Sequence, residues 1–225
     1  MTVRRIAWVR VVVLLCLLAV WSAPVFQTAG AQSNAEAQAA ALLARLTPEE
    51  KVGQLFLVTF EGSSLKPESP ILGLITRRHI GGVVLQSGKD NFSAGDGALD
   101  QAAGLVAGLQ TAEWENTQQS SGASQYIPVF IGMAQEGDLA PYDQLFNGMT
   151  ALPSQMALGA TWNVSLAERT GEVLGRELNA LGVNLLLGPS LDVMDETQTA
   201  GREDLGVRVF GGEPFWVGEM GQAFI

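Results

Sequence analysis

The residues best equipped for chemistry in this 225-residue chain sit just after short apolar runs. Pro128-Val129-Phe130-Ile131-Gly132-Met133 is followed by Ala134-Gln135-Glu136-Gly137-Asp138. Val183-Asn184-Leu185-Leu186-Leu187 is followed by Gly188-Pro189-Ser190-Leu191-Asp192-Val193. Further on, Gly206-Val207-Arg208-Val209-Phe210-Gly211-Gly212 places one guanidinium in a glycine-containing turn. The carboxylates of Glu136, Asp138 and Asp192, with the Arg208 fork, offer charge-assisted acceptors and donors of the kind that hold sugar hydroxyls. Each also has a plainer reading: loop solubility for Glu136 and Asp138, turn formation for Asp192, a structural salt bridge for Arg208. Trp162, Tyr142 and Phe146 could stack on the apolar face of a sugar or simply pack.

These groups need a frame that brings distant loops to one side. Asn34 to Leu46 is Ala/Leu-rich and reads as a helix, and Thr47-Pro48-Glu49-Glu50 is a capping box with Pro at the first helical position. Leu55 to Val58 predicts a first buried strand, Ile71 to Arg78 a helix and Ile80 to Leu85 a second strand. Leu99, Ala102, Ala103, Val106 and Leu109 keep helical spacing before the third strand at 128–133. Asn163 suits an N-cap, Leu166, Thr170, Val173, Leu174, Leu178 and Leu181 line one helical face, and Gly182 supplies a stop. Val183 to Leu187 then predicts a strand buried on both faces, as in a parallel sheet, and Pro214 opens a last helix striped by Trp216, Met220, Ala223 and Phe224. Strands alternating with helices mean α/β architecture, with functional loops at the C-terminal strand ends if the sheet curls into a barrel. His79, the only histidine, falls before a strand's N-terminal end, the face of a barrel that serves stability. The last apolar stripe runs to Ile225 without a closing signal, so the sequence reads as cut short.

Composition narrows the chemistry. The net charge of −10 argues against wrapping nucleic acid or lying on an anionic membrane. One Cys and one His leave no disulfide framework, Cys-based zinc site or multi-His metal site. Nucleotide-cradling glycine motifs and a G-x-S-x-G elbow are missing, so no cofactor is expected. The acidic stretch holding Asp192, Asp195, Glu196, Glu203 and Asp204 fits no calcium-loop spacing and reads as solvated surface. Arg4, Arg5 and Arg10 precede the apolar run Val11 to Trp21, and Ala29-Gly30-Ala31 fits a small-residue cleavage site. Residues 1–31 therefore read as a secretory signal peptide, too short in its apolar part for a stable membrane span, with 32–46 as a helical lead-in. The expected compartment is periplasmic or extracellular.

In order along the chain, Leu46-Thr47-Pro48-Glu49-Glu50-Lys51-Val52-Gly53-Gln54-Leu55-Phe56, His79-Ile80-Gly81-Gly82-Val83, Gln135-Glu136-Gly137, the run from Leu152 to Trp162, Gly175-Arg176-Glu177-Leu178, Gly188 to Val193 and the Arg208-x-Phe210-Gly211 turn resemble family 3 glycoside hydrolases, most of all their bacterial β-N-acetylhexosaminidase branch. The resemblance implies a TIM (β/α)₈ barrel over 47–225 of which about four β/α units are present, acting on terminal β-linked sugars with retention. It further implies a late Asp nucleophile, a His acid/base and a Lys-His pair, all expected beyond Ile225. On this basis no catalytic residue is assigned, and Arg208, Asp192, Glu136 and Asp138 are the candidate substrate-binding residues for a carbohydrate ligand. Two departures stand out: Ala134 replaces the family's sugar-binding Asp, and Gly137-Asp138-Leu139 replaces Gly-Gly-Arg. Asp138 or the inserted Tyr142-Asp143-Gln144 are the residues available to compensate. A β-glucosidase of the same family, a non-catalytic carbohydrate-binding envelope protein and an unrelated envelope protein are the competing readings. An isolated half-barrel is expected to be inactive and prone to aggregate.

Overall fold

A computed structural model describes residues 29–119, 125–137, 143–194 and 207–225. Residues 1–28, which hold most of the stretch expected to be a signal peptide, lie outside the described residues, as do Asp138, Tyr142 and the acidic stretch 195–206. Helix α1 (Ala29–Arg45) belongs to one unit of the chain and Leu46–Ile225 to another.

In the second unit α2 (Pro48–Gly53) starts from the expected capping box. Thr47 Oγ1 accepts the Glu50 N–H at 3.2 Å, and Glu50 Oε2 accepts the Thr47 N–H at 2.8 Å. The chain then runs β1 (Leu57–Val58), α3 (Pro70–Arg78), β2 (Gly82–Val84), α4 (Ala98–Gln119), β3 (Phe130–Met133), α5 (Gln155–Ala160), α6 (Val164–Ala180), β4 (Leu185–Leu186) and α7 (Pro214–Phe224). His79 closes α3 in the left-handed region with φ 53°, while its N–H bonds back to Ile75. Asn163 caps α6 by accepting the Ser165 N–H at 3.1 Å, and Gly182 follows that helix at φ 82°. A side chain at Gly182 would also meet Val106 Cγ1 at 2.7 Å, so the stop is steric as well as conformational.

All four strands are parallel and lie in the order β1-β2-β3-β4. This is the arrangement of consecutive β/α units in a barrel, four of them here. Register assigns the faces. Val58, Val83 and Ile131 are aligned and turn toward the helices, where Val83 and Ile131 are fully buried. There they meet the inner stripes of α4 (Ala102, Leu105, Val106, Leu109) and α6 (Leu174, Leu178). The opposite face carries Leu57 and Phe130 on either side of Gly82, and a Cβ on Gly82 would strike them at 2.5 and 2.6 Å.

Two outer strands differ from expectation. The segment from Leu55 to Val58 was expected to be buried, yet Leu55 is 82% and Phe56 54% exposed and only Leu57–Val58 pairs. Val183 to Leu187 was expected to be buried on both faces, but Leu185 and Leu186 are half-buried and Leu187 is exposed. The physical reason is shared: each strand has a neighbour on one side only among the described residues, and its inner face has no opposing layer.

One buried charge stands apart. Glu113, in the last third of α4, is buried, and desolvation together with the Glu50 carboxylate pushes its carboxyl from 4.5 up to about 7, opposed by Thr117.

Candidate functional site

The residues after β3 are locked before they are exposed to any ligand. Gln135 staples the returning chain: its Nε2 donates to the Leu145 carbonyl at 2.7 Å, and its Oε1 accepts from Gln144 N at 2.9 Å and Leu145 N at 3.0 Å. Buried Asp143 accepts the N–H groups of Glu136 at 2.6 Å and Gly137 at 3.0 Å. Gly137 sits at φ 90° with Leu152 Cβ only 2.8 Å from where a side chain would begin, so glycine is required there. The backbone of Glu136 is thereby fixed from both directions.

Its side chain reaches across 72 residues of sequence to Arg208. Arg208 Nη2 donates to Glu136 Oε1 at 2.8 Å and Nε donates to Oε2 at 3.2 Å, a two-pronged fork. Glu136 is 3% exposed, the Arg208 side chain 24%. Gln155, wholly buried at the start of α5, donates its Nε2 to Glu136 Oε2 at 3.1 Å. Gly188, just past β4, lies so close that a Cβ there would meet the Glu136 carboxyl at 2.9 Å. The turn carrying Arg208 is docked on α5: Met156 N donates to the Val207 carbonyl at 3.0 Å, and Gly159 packs against the Phe210 carbonyl with no room for a side chain. Strands β3 and β4, helix α5 and the 207–210 turn thus converge on one carboxylate–guanidinium pair at the C-terminal ends of the strands.

The sequence candidates divide accordingly. Glu136 and Arg208 come together, with the carboxylate buried behind the guanidinium rather than solubilising a loop. Asp192 is exposed and accepts a hydrogen bond from Ser190 Oγ at 2.8 Å, away from that pair's contacts. Asp138 and Tyr142 lie outside the described residues. Ala134 is half-buried, and Asp143, a possible substitute for the missing acid, is engaged with backbone N–H groups. Trp162, 69% exposed and in the left-handed region, stacks on Trp216 with ring centroids 5.0 Å apart. Sequence reasoning missed Gln155 as part of this corner; the available signals were its place in the family-like run from Leu152 to Trp162 and its position directly after the Ser154 cap, at the start of a short helix. No group of three His, Cys, Asp or Glu able to hold a metal ion occurs among the described residues.

The fold and the site define a parallel β/α barrel domain, present in part, with a polar corner at the C-terminal strand ends. Residues 47–225 match the family model described as "Glycosyl hydrolase family 3 N terminal domain", and the chain belongs to that family. It is 32% identical over 180 residues to a "Beta-N-acetylglucosaminidase/beta-glucosidase" of Cellulomonas fimi, a match covering 76% of this chain and 27% of that protein. It is 28% identical over 205 residues to "Beta-hexosaminidase A" of Pseudoalteromonas piscicida, covering 83% and 31%. Among solved structures, a family 3 β-N-acetylglucosaminidase from Paenibacillus sp. superposes with a TM-score of 0.66 at 32% identity, over 80% of this chain and 30% of that one. A β-N-acetylhexosaminidase from Beutenbergia cavernae superposes at 0.60 with 26% identity, over 80% and 49%. The chain therefore spans under a third of the length of these two curated relatives.

Proposed function

We propose that the chain supplies the N-terminal half of the barrel of an exported glycosidase that removes terminal β-linked N-acetylhexosamines with retention of configuration. The observation that carries this reading is the clamped Arg208 at the strand C-termini of a family 3 domain. A guanidinium held by Glu136 is pre-oriented, and a partly exposed Arg fork suits paired hydroxyl or amide oxygens of a terminal sugar. Glu136 acts here as the support of that Arg. Retaining hydrolysis needs a nucleophile and an acid/base about 5 Å apart across the scissile bond. We assign neither to this chain, and the 225-residue polypeptide is inactive by itself in this reading. Export rests on the signal-like residues 1–31; no helix among the described residues is long and apolar enough to cross a membrane.

The test is chromophore release from nitrophenyl N-acetylglucosaminide and nitrophenyl glucoside. No release by this chain is expected, and release that disappears in Arg208→Ala would overturn the placement of the catalytic groups outside it. Ala134 favours a second reading, a carbohydrate binder without turnover, because it cannot accept the hydrogen bond the family's Asp makes and Asp143 is committed elsewhere. Loss of one such bond weakens binding by about 1–3 kcal/mol. A gain of sugar affinity in Ala134→Asp, with no turnover in any longer form of the polypeptide, would favour that binder.

A further inference from the structure

Two tryptophans form a shelf near the starts of α6 and α7. Trp162 stacks on Trp216 with ring centroids 5.0 Å apart and planes 30° apart, yet Trp162 remains 69% exposed. Trp162 directly precedes the Asn163 cap of α6, and Trp216 lies in the first turn of α7. These two helices pack on each other closely enough that Gly171 meets the Phe224 carbonyl with no room for a side chain. The exposure of Trp162 therefore belongs to the rim of a formed helix pair, not to an unpaired strand. Helices of a β/α unit run back against their strands, so the starts of α6 and α7 lie at the C-terminal strand ends, the side that carries Arg208. Gly159 is the joint beneath the shelf. Its carbonyl accepts the Trp162 backbone N–H at 3.1 Å and the Trp216 indole N–H at 3.4 Å, and its open side abuts the carbonyl of Phe210, two residues from Arg208. The shelf and the Arg208 turn thus share one support.

Packing alone does not account for Trp162. Its backbone is left-handed at φ 53°, where a bulky residue is an outlier and Gly or Asn fits without strain, and so exposed a ring gains little burial in return. Strain of this kind persists where the side chain serves another purpose. The Trp162 indole N–H has no acceptor among the described residues. Beside the shelf, exposed Glu213 caps α7 by accepting the Trp216 backbone N–H at 2.6 Å through Oε2, which leaves Oε1 to a further donor, and α7 carries no cation. We propose that Trp162 and Trp216 form a binding platform for a β-linked gluco-configured oligosaccharide, holding units beyond the terminal sugar. An indole face matches the apolar C–H face of a pyranose, and Trp supplies that contact area at little conformational cost. The free indole N–H donates to sugar hydroxyls and the Glu213 carboxylate accepts from them. The ligand class rests on membership of a glycosyl hydrolase family, while the placement of the platform does not depend on the role given to Arg208. Stacking on a ring face does not read the substituent at the sugar 2-position, so oligomers of N-acetylglucosamine and of glucose should bind alike.

The test is a titration of the ¹⁵N-labelled 225-residue chain with the β-1,4-linked tetramer of N-acetylglucosamine and with that of glucose, following the tryptophan indole N–H signals. Single Trp→Phe substitutions assign them. The Trp162 and Trp216 signals should shift saturably with either tetramer and less with the monosaccharides, while Trp114, itself 51% exposed, stays still as an internal reference. Trp162→Ala should weaken the Trp216 response about 5-fold, the scale of one aromatic stacking contact. Circular dichroism separates lost binding from lost folding: if Trp162→Ala has lost helical signal, Trp162→Asn, which suits φ 53°, replaces it with the same expectation. Indole signals unmoved by both tetramers, an equal response at Trp114, or an undiminished Trp216 response in a folded Trp162 variant would overturn the platform. Signals that follow protein concentration and not sugar would mark a protein contact and overturn it too. The Arg208 Nε–H signal in the same titration reports separately on the proposed function: a shift there with still indoles removes the platform alone, and indole shifts with a still Arg208 leave the platform standing.

Discussion

Removing Arg208 should destabilise the chain more than any other surface-accessible substitution, because of what it leaves behind. The Glu136 carboxylate is 3% exposed and its fork partner supplies two of the three donors described on its oxygens. Breaking a buried pair by deleting one member costs about 3–5 kcal/mol, since the survivor keeps its desolvation penalty without compensation. The guanidinium is 24% exposed, so water can reach part of the vacated space, which puts the expected cost of Arg208→Met near the lower bound, ~3 kcal/mol. Glu136→Gln keeps the shape and removes the charge. The double variant Glu136→Gln/Arg208→Met should be less destabilised than the sum of the singles by about 2 kcal/mol, the coupling of groups in direct contact. Urea unfolding at one fixed protein concentration, followed by tryptophan fluorescence, measures all four corners of the cycle. Single-variant losses below 1 kcal/mol with additive effects would refute the account of a buried, mutually dependent pair.

The other predictions concern the frame and its charges. Gly159→Ala should unfold or severely weaken the domain, because its Cβ would lie 1.7 Å from the Phe210 carbonyl, whereas Gly175→Ala, with open space around it inside α6, should stabilise by about 0.5–1 kcal/mol; thermal melts of the two compare them directly. Asn163→Ala removes the α6 cap and should cost about 1 kcal/mol in the same melts. Glu113 titrates near 7 in the folded chain and at its ordinary value when unfolded, so the folded state holds this proton more tightly. Stability from this group is complete below about pH 4.5, falls as pH rises toward 7, and is flat above; Glu113→Gln should gain about 1–3 kcal/mol at pH 8 and nothing at pH 4, read from urea midpoints at the two pH values.

Much of the frame could be read from local chemistry. The Thr47 and Asn163 caps, the Gly182 stop and the apolar stripes of α4 and α6 are short-range features, and all four strands fall inside the apolar runs that predicted them. What failed was burial at the two outer strands. Leu55-Phe56-Leu57-Val58 and Leu185-Leu186-Leu187 have the composition of central strands, and no local signal reports how many neighbours a strand has. Site residues were legible as positions at strand ends but not as partners. That Glu136 would turn inward to Arg208 depends on Gln155, Asp143 and the vacant side of Gly188, contacts separated by between 7 and 72 residues of sequence. Family resemblance marked the Arg208 turn; only the three-dimensional arrangement shows that its nearest anion is the Glu of Gln135-Glu136-Gly137.

The central claim, that the clamped Arg208 is the sugar-gripping group of this half of the barrel, is tested most directly by titrating ¹⁵N-labelled chain with N-acetylglucosamine and following the arginine Nε–H signals. The account predicts that the Arg208 signal shifts with added sugar, that glucose moves it less, and that Glu136→Gln, by freeing the guanidinium, weakens the response several-fold. A sugar-dependent response centred elsewhere in the chain, with the Arg208 signal unmoved, would contradict it.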